Sequence, residues 1–115
     1  MSRCPLEYLH HILDEIAYVQ GVARDITQAE FLADETLKRS VVRSIEIIGE
    51  AAKKLPSDFN NKHPDVQWKR VAGMRDHLIH GYFGVDYRIV WDVAENKLPE
   101  LKRKIRGIMS DQAGS

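Results

Sequence analysis

The chain has 115 residues, of which 43% are hydrophobic and 30% are charged, and its 17 basic side chains balance 17 acidic ones. These values are typical of one folded domain spanning residues 1–115, and the neutral balance excludes a global field that would attract nucleic acid. The single cysteine, Cys4, excludes an internal disulfide framework and a cysteine-rich zinc site. No apolar run approaches the roughly 18 residues that cross a membrane, so we expect a cytoplasmic protein.

Helical periodicity begins near the N-terminus. Pro5 suits the first turn of a helix, where its missing N–H costs no hydrogen bond, and an apolar stripe with steps of three and four residues follows it. The stripe consists of Leu6, Leu9, Leu13 and Ile16. Gly21 is the expected end of this helix. Thr27 and Glu30 then form the Thr-x-x-Glu pattern of a capping box, which predicts a short second helix through Leu32.

The strongest periodic signal is a long helix that Asp34 can cap. Its apolar positions recur at three- and four-residue steps, and they are Leu37, Val41, Ile45, Ile48, Ala52 and Leu55. Pro56 disfavours helix in the residue before it, so the helix should end at about Leu55. The polar composition of residues 57–63 predicts a connector.

Two further helical segments are predicted between Pro64 and His80. Pro64 can open a short turn of helix. A longer helix is expected from about Val71 to His80, with Gly81 as its left-handed terminator.

A C-terminal helical region completes the predicted fold. Asp86 can cap a helix that Pro99 should kink or interrupt, and a last helix continues to about Ile108, after which residues 110–115 are expected to fray. The aromatic residues of the second half are predicted to be core or interface residues; they are Trp68, Phe83, Tyr87 and Trp91. Strand signals are nearly absent, so the sequence predicts an all-α bundle of four to five helices.

The densest group of reactive side chains lies between Arg75 and Tyr82, in the order Arg-Asp-His-Leu-Ile-His-Gly-Tyr. Asp76 and His80 are four residues apart, which places them on one face of the predicted helix. The Asp76 carboxylate and the negative end of the helix dipole would both favour the charged imidazole. We therefore expect the pKa of His80 to lie above its ordinary value of about 6.5, in the range useful for acid–base catalysis.

These side chains could cleave RNA without a metal ion. Arg75 carries a permanent cation suited to phosphate, His80 carries a titratable imidazole, and Tyr82 places a phenol just beyond them. The ribose 2′-hydroxyl would attack its own phosphate while one group moves a proton and the cation stabilises the developing charge. The residues alone leave a second interpretation open, because an arginine and a histidine on one helix can also form an ordinary salt-bridged surface.

A metal site is the less favoured alternative for the same segment. His77 and His80 form an i, i+3 pair and could hold a metal together with Asp76, but the sequence contains no closed set of ligands. We expect neither a metal nor another cofactor.

Two glutamates of the long helix are candidate partners for the arginine. Glu46 and Glu50 are four residues apart, and Arg43 precedes Glu46 by three. The favoured interpretation of Glu46 is an exposed row of ion pairs, which contributes little stability. Glu50 stays a candidate support for Arg75.

The motif and its surroundings resemble a known family. Arg75, His80 and Tyr82 match the Arg-x-x-x-x-His-x-Tyr signature of HEPN ribonuclease toxins. The run RDHLIHGYFGVDYRIVWDV is similar to the HepT branch of that family, the partners of minimal nucleotidyltransferase (MNT) antitoxins, and SVVRSIEIIGEAAKKL resembles the family's second long helix. The similarity extends from Tyr8 to about Ile108.

The resemblance implies a helical homodimer in which two copies of the motif meet and form a composite RNA-cleaving site. Arg75 and His80 would be catalytic, and the candidate supporting residues are Asp76, His77 and Glu50. Asparagine is common in the family where this chain has Asp76, so the substitution adds a negative charge beside the expected phosphate site.

The resemblance also implies regulation by a partner. Tyr82 matches the tyrosine to which the MNT partner attaches AMP. The alternative is a non-catalytic HEPN module that docks a nucleotidyltransferase or binds nucleotide.

Overall fold

The computed structural model describes residues 4–79 and 84–114, with side chains up to residue 111. The helices are α1 (Pro5–Ala23), α2 (Gln28–Ala33), α3 (Glu35–Lys53), α4 (Ser57–Lys62), α5 (Trp68–Ala72), α6 (Met74–Leu78), α7 (Tyr87–Asp92), a π-helical segment (Val93–Lys97) and α8 (Leu98–Gly114). Helix α1 packs against both α3 and α8, and α5 and α6 pack against α3. The predicted all-α fold is confirmed. Across the described ranges, none of the helices is long and apolar enough to cross a membrane.

Helix α1 extends further than the sequence predicted. Its apolar stripe buries Leu9, Ile12 and Ile16 completely. The expected end at Gly21 is wrong, because the helix continues to Ala23 and that residue is buried. A single glycine costs only about 1 kcal/mol in a helix interior, and burial of the next apolar turn offsets it.

The predicted caps of the next two helices are confirmed. The Glu30 N–H donates to Thr27 Oγ1 (3.1 Å) and the Thr27 N–H donates to Glu30 Oε1 (3.0 Å), which is a complete capping box. The Leu37 N–H donates to Asp34 Oδ1 (2.9 Å) at the start of α3. Helix α3 then buries its predicted stripe: Val41, Ile45, Ile48 and Ala52.

The predicted connector at 57–63 is wrong, because Ser57–Lys62 form the short helix α4. One buried aromatic residue holds this helix. The Phe59 ring lies 4.7 Å from the His63 ring and 5.9 Å from the Trp68 ring, and the Trp68 Nε1–H donates to the His63 carbonyl oxygen (2.9 Å). A polar sequence therefore became helical through tertiary packing.

Pro99 interrupts the C-terminal helix as predicted, through a π-helical turn placed just before it. Pro99 lacks an N–H and its ring crowds the carbonyl of Glu95, so the turn ahead of it widens. The Leu98 N–H then donates to the Val93 carbonyl, five residues earlier. Helix α8 continues to Gly114.

The aromatic side chains of the second half contribute to the core. Trp68 is buried, and the Trp91 ring lies 5.2 Å from the Phe31 ring of α2. The Lys38 ammonium lies 4.6 Å from the centre of the Tyr87 ring. Phe83 lies outside the described residues.

The closest approach between α3 and the helices that follow it occurs at Gly49. A Cβ atom at this position would lie 3.1 Å from the carbonyl oxygen of Ala72 and 3.5 Å from that of Val71. Both neighbours are backbone atoms, so a side chain here would push α5 away from α3. Gly49 therefore sets how closely α3 approaches the segment that carries Arg75.

We expect Gly49→Leu to lower the free energy of unfolding by about 1–3 kcal/mol, the usual cost of overpacking. Gly21→Leu is the matched control, because no atom lies within 4 Å of a Cβ there. That control should raise stability by up to about 1 kcal/mol through helix propensity. Urea denaturation followed by circular dichroism measures both values, and equal effects at the two positions would contradict the close approach.

Candidate functional site

The segment that carries the predicted motif is two short helices instead of one. Gly73, with φ −94° and ψ 10°, separates α5 from α6, so the continuous helix predicted over 71–80 is wrong. Met74 and Leu78 are buried and fix α6 to the core. Because they are one turn apart, they leave the intervening residues 75–77 exposed.

Arg75 contacts a carboxylate of α3. Its Nε lies 3.5 Å from Glu46 Oε2, and the side chains of Arg75 and Glu46 are 59% and 25% exposed. Pairs this exposed contribute at most about 1 kcal/mol to stability. The main consequence of the pair is orientation, because the carboxylate at Nε leaves the end of the guanidinium free to face solvent.

A second ion pair lies beside the first on α3. Arg43 Nη1 lies 4.0 Å from Glu46 Oε2 and 3.9 Å from Glu50 Oε1. Glu50 is therefore paired with Arg43, and Glu46 is the residue that reaches Arg75. The interpretation of Glu46 as only a member of an exposed surface row is wrong.

The sequence contains only part of the signal that identifies Glu46, because the close approach at Gly49 is visible only in the structure. Gly49 marks the face of α3 that another part of the chain approaches closely. Glu46 lies three residues before it and hence on the same face. Combining a close-approach glycine with the carboxylate one turn earlier would have selected Glu46 as the partner of Arg75.

The chain leaves α6 as extended backbone. Ile79 has φ −104° and ψ 128°, and it forms an isolated antiparallel bridge with Val85. The Asp86 N–H donates to the Leu78 carbonyl oxygen (2.7 Å), and Gly84 has a positive φ of 78°. These contacts hold the two flanks of residues 80–83 side by side.

Two predicted site residues, His80 and Tyr82, lie outside the described residues, as does the predicted helix terminator Gly81. The expected one-turn spacing of Asp76 and His80 involves a residue outside the described ones, and helix α6 ends at Leu78. Helix hydrogen bonding stops there since the Leu78 carbonyl is taken by the Asp86 N–H.

Asp76 and His77 are both exposed on α6. Within the residues that the structure describes, neither side chain makes an ion pair or hydrogen bond, and no group of three His, Cys, Asp or Glu side chains could hold a metal ion. Cys4 is exposed at the start of α1.

The fold and the site define a class of protein. The described part of the chain is an all-α bundle in which the exposed Arg75 pairs with the Glu46 carboxylate. Arg75 is the first residue of the sequence motif that also contains His80 and Tyr82. This all-α fold is consistent with a HEPN-like helical domain. A family profile described as Ribonuclease HepT-like matches residues 12–108, and the chain belongs to that family.

Several relatives match almost end to end. A protein of Caldanaerobacter subterraneus, named as a candidate RNase, is 46% identical over 110 residues that cover 96% of this chain and 98% of the relative. A candidate RNase of Methanocaldococcus jannaschii is 45% identical over 93% of this chain and 88% of its own. A candidate ribonuclease HepT of Thermococcus cleftensis is 42% identical over 90% of this chain and 94% of its own. No solved structure gave a significant match.

Proposed function

We propose that this chain is a metal-independent endoribonuclease, the toxin of a HEPN/MNT toxin–antitoxin pair. The observation that carries the proposal is membership of the HepT-like ribonuclease family over residues 12–108, with Arg75 exposed and oriented by Glu46. The substrate is RNA, and the partner is a minimal nucleotidyltransferase that neutralises the toxin by adding AMP to Tyr82.

The proposed reaction uses two groups of the motif. His80 moves the protons: the ribose 2′-hydroxyl attacks the adjacent phosphorus as its proton is removed, and the 5′ oxygen of the next nucleotide leaves as it is protonated. Arg75 stabilises the negative charge that accumulates on the phosphate oxygens. The products are a 2′,3′-cyclic phosphate and a 5′-hydroxyl, and no metal ion enters the balance.

The side chains around Arg75 support this chemistry in different ways. Glu46 fixes the guanidinium at Nε, which leaves the bidentate end for phosphate. Asp76 is exposed next to Arg75, where its negative charge opposes an approaching phosphate. We therefore expect weaker RNA binding than asparagine at this position would give.

We further propose that the active form is a homodimer with a composite site. Ile79, which lies within the motif, is 38% exposed, and this is unusual among the large apolar residues that the structure describes. Burial of that residue between two copies would bring the two motif segments together. Closed two-fold dimers are also the commonest assembly of soluble proteins.

The decisive test compares the wild type with His80→Ala, both without the partner. Wild type should arrest growth when expressed and should cleave RNA in the presence of EDTA, whereas loss of proton transfer should slow cleavage about 10²–10⁴-fold. Light scattering should report a dimer for both proteins, and circular dichroism should report equal helicity.

Two outcomes would contradict the proposal. Cleavage that stops with EDTA and returns with Zn²⁺ or Mn²⁺ would replace the mechanism with a metal-dependent one. Binding of a nucleotidyltransferase without cleavage or growth arrest would identify a docking module without catalytic activity.

A further inference from the structure

A groove lies on the far side of α6 from Glu46. It opens between α5 and α6 on one side and the π-helical segment and α8 on the other, and its volume is about 260 Å³. Its floor is apolar and includes Val71, Met74 and Leu101, which are all buried. Its rim is polar and carries Arg70, His77 and Lys97.

The rim has more positive than negative charge. Its one carboxylate, Glu100, is already paired, because Lys104 Nζ lies 3.2 Å from Glu100 Oε1 and the hydrogen bond from Lys104 lowers the pKa of Glu100. Arg70 donates to the neutral side chain of Gln67 (3.1 Å). Among the described residues, neither Arg70 nor Lys97 forms an ion pair with a carboxylate. The positive charge of Lys97 also helps to lower the pKa of Glu100, so Lys97 has only this longer-range interaction with a carboxylate and Arg70 has no carboxylate within ion-pair distance among the described residues.

The π-helical turn explains why Lys97 belongs to this rim. In a regular α-helix, Lys97 would stack one turn after the buried Val93. The widened turn instead makes Leu98 the hydrogen-bond partner of Val93, and Leu98 is fully buried. Lys97 is displaced to the surface, where it lines the groove.

We infer that this groove binds one nucleotide of the RNA strand next to the cleaved bond, with the base over the apolar floor and its phosphate between Arg70 and Lys97. An apolar floor with a cationic rim suits a planar base attached to an anion better than it suits either part alone. The inference rests on the proposed ribonuclease function.

The position of the groove relative to Arg75 supports a continuous RNA path. His77 lines the groove and Arg75 faces α3; two residues apart on a helix, they point in directions about 200° apart. The two sides of α6 are thus separated by about one helix diameter, 10–12 Å. A single strand passing the end of α6 can contact both sides.

The test compares two double variants that each remove one arginine and one lysine. Arg70→Gln/Lys97→Gln alters the groove. Lys69→Gln/Arg106→Gln is the matched control, because both of its residues are exposed and neither lines the groove. Binding is measured by fluorescence anisotropy with a short 2′-O-methyl oligonucleotide, which cannot be cleaved because its 2′ oxygen is blocked.

The groove variant should bind more weakly than the control and show a shallower salt dependence. Each lost phosphate contact should reduce the slope of log K against log salt concentration by about 0.7. Both variants should keep the wild-type melting curve. Equal affinities and slopes for the two variants would overturn the inference. It would also be overturned if the groove variant bound the oligonucleotide like the control and lost only the binding of free 5′-AMP or of an acidic peptide.

Cleavage of unmodified RNA separates the two proposals. If the wild type cleaves RNA but the groove and control variants bind RNA equally, the nucleotide-binding role of the groove is refuted and the ribonuclease function is not. A wild type that binds the oligonucleotide through the groove but never cleaves RNA would refute the function and support the groove.

Discussion

Arg75→Ala is expected to slow RNA cleavage by about 10²–10³-fold, because it removes a preorganised donor from the place where negative charge develops. Arg75→Lys should recover only part of that loss. The lysine keeps a positive charge but lacks the planar fork that binds two phosphate oxygens at once. Single-turnover cleavage of a labelled RNA measures the rate, with circular dichroism to show that the fold is unchanged.

The contact between Arg75 and Glu46 predicts a second variant with a smaller effect on the cleavage rate. Glu46→Gln keeps the shape of the side chain and removes the charge that orients Arg75 Nε at 3.5 Å. An exposed pair is worth up to about 1 kcal/mol, or about fivefold in kcat/KM. Glu50→Gln is the matched control, because Glu50 pairs with Arg43.

The kinetic pattern shows whether Glu46 acts through Arg75. In the Arg75→Ala background, Glu46→Gln should have no further effect on the rate, since the group that it orients is gone. Equal effects of Glu46→Gln in both backgrounds would make Glu46 independent of the arginine. Full activity of Arg75→Ala would remove the arginine from the reaction altogether.

The parts of the fold that depend on local chemistry could be predicted from the sequence. The capping box at Thr27 and Glu30 and the cap at Asp34 form the hydrogen bonds expected of them. These interactions join residues three apart, so the sequence contains the whole interaction. The effect of Pro99 could be predicted for the same reason, although its form, a π-helical turn, depends on keeping Leu98 in the core.

The parts that depend on distant residues could not be predicted in the same way. The sequence of residues 57–62 predicts a polar connector, but in the structure the ring of Phe59 packs against the ring of Trp68 and the segment is helical. The sequence predicts that this helix of the motif segment continues to residue 80, but α6 ends at Leu78, whose carbonyl accepts a hydrogen bond from the Asp86 N–H. In each case a contact across many residues outweighs a local preference that is worth only a few tenths of a kcal/mol per residue.

The candidate site also contains one part that the local sequence predicts and other parts that depend on distant residues. Arg75 was identified from its sequence motif, whereas its partner Glu46 lies 29 positions earlier in the chain. The two meet across the contact between α3 and α6, next to the close approach of α3 and α5 at Gly49. The groove combines residues of α5, α6 and α8, so no single segment of the sequence could reveal it.

Under the proposed function, Tyr82→Phe is expected to abolish modification by the nucleotidyltransferase partner and to leave the protein folded. We propose that the MNT partner transfers AMP from ATP to the phenol oxygen of Tyr82 and releases pyrophosphate. The attached AMP adds bulk and at least one negative charge two residues past His80, which opposes an incoming RNA phosphate and competes for Arg75. The modified toxin should therefore be inactive without being unfolded.

Mass spectrometry of toxin co-expressed with the nucleotidyltransferase tests this prediction. Wild type should gain AMP units and lose ribonuclease activity, whereas Tyr82→Phe should gain none and remain toxic. Tyr18→Phe is the matched control, because Tyr18 is an exposed tyrosine (46%) that lies on α1, outside the motif; this variant should be modified and neutralised like the wild type. If Tyr82 stays unmodified while the partner neutralises the toxin fully, inhibition works by masking the site, and modification of Tyr82 is not the mechanism.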